Sequence, residues 1–322
     1  MDNNPAMSGF TVRRCFYDTR FDSGFWSPST STANFCEEDY VVSHYIAEFI
    51  NTLTNAAYIY YALCPPIVFG KLHSKTKPAS NGFDDSQRHS ITWDLQTVAL
   101  VLVGTSSGIF HMSLHAWPQW CDESSMYLLA ASWIHALLTT TYVKTSTSKQ
   151  MKAAPAKQHR VNRQNELFVG AFIALVIALA SMSTVWTGHL AIHSIMFAVL
   201  LVVSGIKLIY LIIVATSAAQ DWNATIWGPS VDGMNQARRM LFTSLAKAIF
   251  LLVAAFALWL CDSNPAVCAY LRYVRNDFLG QTWYLRPLGF LTELHGWWHV
   301  LTARAAGEYI ALIRVLTCNP NT

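Results

Sequence analysis

Apolar residues along this chain fall in blocks of roughly 20 or more, not at the i, i+3, i+4 spacing of a helix half-buried on a soluble core. Blocks of that length match the hydrocarbon of a bilayer, where a helix satisfies its own backbone hydrogen bonds. They predict seven spans, over residues 45–69, 92–113, 123–143, 167–186, 190–215, 238–260 and 285–315. The third ("DESSMYLLAASWIHALLTTTYV") is the least apolar, and is expected to face neighbouring helices more than lipid. The last is long and polar at both ends. The expected fold is therefore all-α and integral to the membrane, a seven-transmembrane-helix bundle over residues 44–316. Residues 1–43 precede it and 317–322 form a short tail.

Composition agrees. Of 322 residues, 53% are hydrophobic and 13% charged, about half the charged fraction of a soluble domain. The polar N-terminus has no apolar core of a signal peptide, so the first span is expected to insert the chain. Orientation follows from the loop cations. The first loop holds Lys71, Lys75, Lys77 and Arg88; the third, 144–166, holds Lys144, Lys149, Lys152, Lys157, Arg160 and Arg163. The second and fourth have none, while the sixth dissents with Arg272 and Arg275. The N-terminus is thus expected to be lumenal and the C-terminus cytosolic, with 144–166 a disordered cytosolic tether. The net charge of +3 comes from these loops and does not suggest nucleic acid.

Seven cysteines are too scattered for a disulfide scaffold or a CxxC zinc site. Cys36 and Cys268 share the non-cytosolic side, where oxidation is allowed, and topology leaves their pairing open. The sequon at Asn223 falls in a loop expected to be cytosolic and so to stay unmodified.

Ionisable groups inside a bilayer are costly and by default functional. The second span ends "GTSSGIFHMSLHAW", with Ser107, His111 and His115 at four-residue steps. The third opens with Asp122 and Glu123, the seventh carries Glu293, His295 and His299, and the first contributes Glu37, Glu38, Asp39 and Glu48. Starts of odd spans and the end of an even one lie at the same membrane face. These four clusters are therefore expected to share one level of the bundle, on the lumenal side.

A single intramembrane histidine usually bonds a neighbouring helix. Histidines at i and i+4, however, project from one face and can share a metal. His295 and His299 with His111 make a three-histidine set that leaves a position open, as in catalytic zinc. Such a metal brings the pKa of its water to about 7; Asp122 could accept and return the proton, and Ser107 could assist an oxyanion. His115 lies nearer the loop beside Trp117 and Trp120 and ranks below His111. The acidic "NFCEEDY" before the first span, with Glu48 two turns into it, suits a hard cation such as calcium. Trp297 and Trp298 read as packing or pocket wall.

The stretches "FWSPSTSTANFCEEDYVVSHYIAEFINTLTN", "GIFHMSL" with "CDESSMY", and "LHGWWHVLT" together resemble the alkaline ceramidases, in order and at similar separations. That resemblance runs from about Phe25 to the seventh span. It implies a seven-span amidase cleaving ceramide, a lipid partner, to sphingosine and a fatty acid. It implies zinc on His111, His295 and His299, with Ser107 and Asp122 around the activated water. It also implies calcium at Asn34, Phe35 (through its carbonyl), Glu37, Asp39 and Glu48. Asn34 stands where the family usually has Asp and Asp39 where it usually has Asn, so the formal charge is kept. The resemblance further implies a Cys36–Cys268 disulfide and residence in endoplasmic reticulum or Golgi membranes. Two alternatives stand beside it. One is a seven-span lipid receptor with a structural metal, which would have no need of a free carboxylate at Asp122. The other is the same chemistry on another lipid amide or ester.

Overall fold

The computed structural model describes residues 24–66, 93–139, 167–182, 190–217, 231–279 and 286–317. The basic loop, the Asn223 sequon and the lysines of the first loop lie outside the described residues. The described residues are helical apart from an extended N-terminal segment and one isolated bridge, Ser43 to Ile46. In chain order the helices are α1 Phe49–Thr54, α2 Ala56–Leu63, α3 Leu95–Ser113, α4 Ala116–Thr139, α5 Leu167–Met182, α6 Leu190–Ser217, α7 Val231–Asp262, α8 Pro265–Tyr273 and α9 Leu294–Thr317. A π-helical turn, Val274–Leu279, follows α8, and a 3-10 turn, Arg286–Thr292, precedes α9.

Among the described residues, three helices are long and apolar enough to cross a membrane: Leu95–Ser113, Ile192–Val214 and Asn235–Asp262. The other expected spans differ in instructive ways. The first is interrupted at Asn55, which keeps near-helical dihedrals (φ −63°, ψ −20°) between α1 and α2. The third begins earlier than its apolar pattern, at Ala116, with Pro118 tolerated in the first turn. The seventh splits at Glu293, so that α9 starts just before the histidine pair.

Local chemistry accounts for the boundaries. Asp94 caps α3 by accepting from Thr97 N at 2.8 Å, and Arg314 of α9 grips the same carboxylate at 2.9 and 3.0 Å. This bidentate pair ties α3 to α9 at the end remote from the histidines. α3 stops at Leu114, which adopts a left-handed conformation (φ 50°) unusual for a branched side chain. The N-terminal segment holds it there: Thr30 N, Ser31 N and Ser29 Oγ all donate to the Leu114 carbonyl. Thr30 Oγ1 then accepts from Ala116 N, capping α4. Asn264 caps α8 with Pro265 in the first position.

The main core lies between α2, α3, α4, α6, α7 and α9, around Leu100, Trp133, Leu208, Leu241 and Ile310. A smaller cluster of Ala33, Ala47, Phe110 and Leu114 seats the N-terminal segment over the end of α3. Cys36 and Cys268 form a disulfide with a Cα separation of 5.4 Å, joining that segment to α8.

Candidate metal centre

The inward face of the first span is set by a polar stripe. Glu48, Asn51, Asn55 and Tyr58, at helical spacing, are all buried. Glu48 stands at the N-cap of α1, yet its own side chain makes no cap. Glu37 does that work: its two oxygens accept from Ile50 N at 2.7 Å and Asn51 N at 2.8 Å. The Glu48 carboxylate is thereby released to turn inward.

There it meets α3. His111 Nδ1 lies 2.5 Å from Glu48 Oε2, the two side chains being 1% and 0% exposed. Asn51 Nδ2 donates to the same oxygen at 3.0 Å, and Phe35 N donates to Oε1 at 3.3 Å. His299 is likewise held by α1: its Nδ1 lies 3.0 Å from Thr54 Oγ1. His295 stacks on Phe35 with ring centroids 3.6 Å apart.

His111, His295 and His299 offer one ligand atom each, all within 4.8 Å of one another, and all three residues are buried. Glu48 engages Nδ1 of His111 and leaves Nε2 to point elsewhere, the usual way a second residue fixes a metal-binding tautomer. His295 Nδ1 is buried without a hydrogen-bond partner among the described residues, an arrangement that protein interiors rarely tolerate in the absence of an ion or water. Three imidazoles clustered in this way fit a borderline-soft divalent ion. The cluster could hold a metal.

Beside it stands the candidate base. Ser107, one turn before His111 on α3, is buried, and its side chain neighbours that of Asp122. Asp122 is itself pinned: Ser106 Oγ donates to Ser125 Oγ at 2.9 Å, and Ser125 Oγ to the Asp122 carbonyl at 2.7 Å. His115 is elsewhere, partly exposed, with Nδ1 3.4 Å from Thr30 Oγ1 and its ring near Trp26.

The acidic stretch has a different geometry. Among the described residues, no group of three imidazole, thiolate or carboxylate donors in it comes as close together as the histidines. Asn34 is exposed, Glu37 caps α1 and Glu48 lies against His111. Even so, Glu37 and Glu48 are both buried and near each other. Burial, and then the Glu48 charge, push Glu37 up to about 8. A bound cation would offset both effects.

Several working residues went unrecognised in the sequence. Thr54 holds His299 and Asn51 holds the Glu48 carboxylate that faces His111; both were visible as polar residues within an apolar span. Gly296, between the histidines, is another. A Cβ there would meet Ile50 Cγ2 at 3.1 Å and Thr54 Cγ2 at 3.3 Å. Glycine lets α9 approach α1 closely enough for Thr54 to reach His299. Gly296→Ala is therefore expected to cost about 1–3 kcal/mol by overpacking and to lower metal retention as well. Thermal unfolding and metal content of the purified variant check this; wild-type values in both would refute it.

Residues 27–322 match the family described as Ceramidase. The chain belongs to the ceramidase family. It is 31% identical over 299 residues to Alkaline ceramidase YPC1 of Saccharomyces cerevisiae, covering 92% of this chain and 80% of that one. It is 28% identical over 291 residues to Alkaline ceramidase 3 of Mus musculus, covering 90% and 84%. A shorter match, 31% over 104 residues and 32% of this chain, reaches Alkaline ceramidase of Arabidopsis thaliana. As a ceramidase-family member the chain is a hydrolase. The matched region includes all three histidines, Asp122 and the disulfide.

Proposed function

We propose that this protein cleaves the amide of ceramide-type lipids to a sphingoid base and a fatty acid, with zinc held by His111, His295 and His299. The observation that carries this reading is the buried three-histidine cluster lying one helical turn from a Ser107–Asp122 pair. When bound, zinc would supply a nucleophilic hydroxide near neutral pH and polarise the amide carbonyl.

The chain's own residues do the rest. Asp122 accepts the proton of the attacking water on its carboxylate and returns it to the sphingoid nitrogen as that amine leaves. Ser107 has one proton. While it donates to ionised Asp122 it orients the base; once Asp122 is protonated the hydroxyl is free to turn toward the developing oxyanion. Glu48 and Thr54 keep His111 and His299 in register throughout.

The same reading carries the finer topology. Seven spans with a lumenal N-terminus are supported by the Cys36–Cys268 disulfide, which needs an oxidising compartment. Endoplasmic reticulum or Golgi membranes offer one. The dissenting Arg272 and Arg275 are held on that side by protein partners: Arg272 Nε donates to the Cys36 carbonyl at 2.9 Å, and Arg275 pairs with Glu38 and Glu293. Calcium at the Glu37–Glu48 pair, with Asn34, Phe35 and Asp39, would offset the repulsion of those buried carboxylates. Metal analysis of purified protein reads both assignments, and absence of zinc after purification without chelator counts against the mechanism.

Asp122→Asn tests the chemistry directly. It keeps size and the hydrogen bond to Ser107 but removes the proton acceptor, so turnover is expected to fall about 10²–10⁴-fold with zinc still bound. Unchanged release of fatty acid from ceramide would overturn the role of Asp122. Loss-free binding of ceramide with no turnover even in the wild type would favour a receptor.

A further inference from the structure

The segment between α7 and α9 is amphipathic with its faces reversed. Cys268, Arg272 and Arg275, at i, i+4 and i+7, face the protein: one is in the disulfide, one donates to Cys36 O, and one pairs with Glu38 and Glu293. Asn276 on the same side donates to Glu38 at 3.2 Å. The opposite face carries Tyr270, Tyr273 and Phe278, exposed at 65%, 58% and 66%. The adjoining 3-10 turn adds exposed Leu288, Phe290 and Leu291, and Trp297 donates its Nε1 to the Leu291 carbonyl at 3.2 Å.

A segment bordering water would place its arginines outward and its aromatics inward. Here both cations are bonded inward, Arg275 to two carboxylates and Arg272 to a carbonyl, and the rings are left outside. α8 alone is too short to cross a bilayer. It nevertheless packs against α7, where Phe250, Val253, Phe256 and Leu260 are exposed on a helix long and apolar enough to span. Tyrosine and tryptophan belong at the headgroup level of a bilayer, with the ring in the apolar zone and the polar edge in the wet one. The segment ends at Glu293, immediately before His295.

Resting on the amidase reading, we infer that the face formed by Tyr270, Tyr273, Phe278, Phe290 and Leu291 docks on the lipid surface of the leaflet that borders the histidine centre. The amide of a two-chain sphingolipid lies near the polar boundary of its leaflet. Anchoring at that depth sets the metal centre level with the bond to be cut. It also gives Trp297 a role that packing alone does not: it ties the aromatic face to the helix bearing both histidines.

The test uses the full chain in phosphatidylcholine vesicles. A benzophenone amino acid replacing Tyr273 should form a phosphatidylcholine adduct on illumination, as should the same probe replacing lipid-facing Phe250. An adduct at 250 with none at 273 overturns the inference. Independently, the triple variant Tyr270→Ser, Tyr273→Ser, Phe278→Ser should raise the apparent KM for ceramide embedded in vesicles about tenfold or more, since anchoring scales with buried apolar area. Its kcat, and its turnover of a short-chain ceramide dispersed in detergent, should stay at wild-type values. An equal loss in both formats, or none in either, overturns the inference. A wild-type protein that cleaves neither substrate defeats the amidase reading instead, and the cross-linking result still decides the docking face.

Discussion

Purified His299→Ala protein will carry no zinc and will release no measurable fatty acid from ceramide, while its helix content in detergent stays that of the wild type. The size of the effect follows from what the residue supports. Loss of one oxyanion donor typically costs 10²–10³-fold and loss of acid–base catalysis about 10²–10⁴-fold; a missing metal ligand disables both, so a fall of about 10⁴-fold or more is expected. The fold should survive because, among the described residues, the side-chain hydrogen bond of His299 is to Thr54 of α1. The packing of α9 rests elsewhere, on Ala303, Ala306, Ile310 and Ile313. Full activity in this variant would sink the metal assignment. Loss of zinc with activity retained would sink the mechanism but leave the metal a structural one. Paired with Asp122→Asn, which should keep zinc and lose turnover, the variant separates holding the ion from moving the proton.

How much of this was legible in the sequence depended on the range of the interaction. The apolar blocks marked where helices lie, because hydrophobic length is a local property. They leave the polarity of several site-bearing helices unexplained. The stretch over α1 and α2, together with α4 and α9, is interrupted or too polar to count as an apolar span among the described residues. The reason is physical: these helices turn Glu48, Asn51, Asp122, His295 and His299 into the bundle, and hydropathy cannot distinguish an inward polar group from an aqueous one. The histidine pair was legible from its spacing, and topology alone placed His111 level with it. The division of labour among the acids was not legible. Nothing in "NFCEEDY" says that Glu37 caps α1 across eleven intervening residues, or that this frees Glu48 for His111. The arginines of the sixth loop, which dissent from the other loop cations, bond within the protein: Arg272 to Cys36 O, and Arg275 to Glu38 and Glu293.

Glu48→Gln should lower zinc affinity about 10–100-fold, the usual cost of losing a residue that orients a metal ligand. Glutamine cannot reproduce this carboxylate. Oε1 accepts from Phe35 N, while Oε2 accepts from Asn51 Nδ2 and lies against His111 Nδ1. An amide must put its NH2 on one side or the other. Facing Phe35 it opposes a backbone donor; facing His111 it opposes an imidazole N–H and a second amide. Either choice leaves a buried donor unsatisfied, worth about 1–3 kcal/mol, so thermal stability should drop together with metal affinity. Competition with a zinc chelator and thermal unfolding in detergent read the two effects. Saturating calcium separates two roles for the residue. If Glu48 served only a calcium site, zinc retention would match the wild type. If it acts through His111, zinc is lost at any calcium concentration, and the loss should be smaller in a variant that disturbs only the acidic segment, such as Asp39→Asn. Zinc retention equal to wild type in Glu48→Gln would detach this carboxylate from the metal centre and leave His111 to be oriented by packing against Phe35 and Phe110.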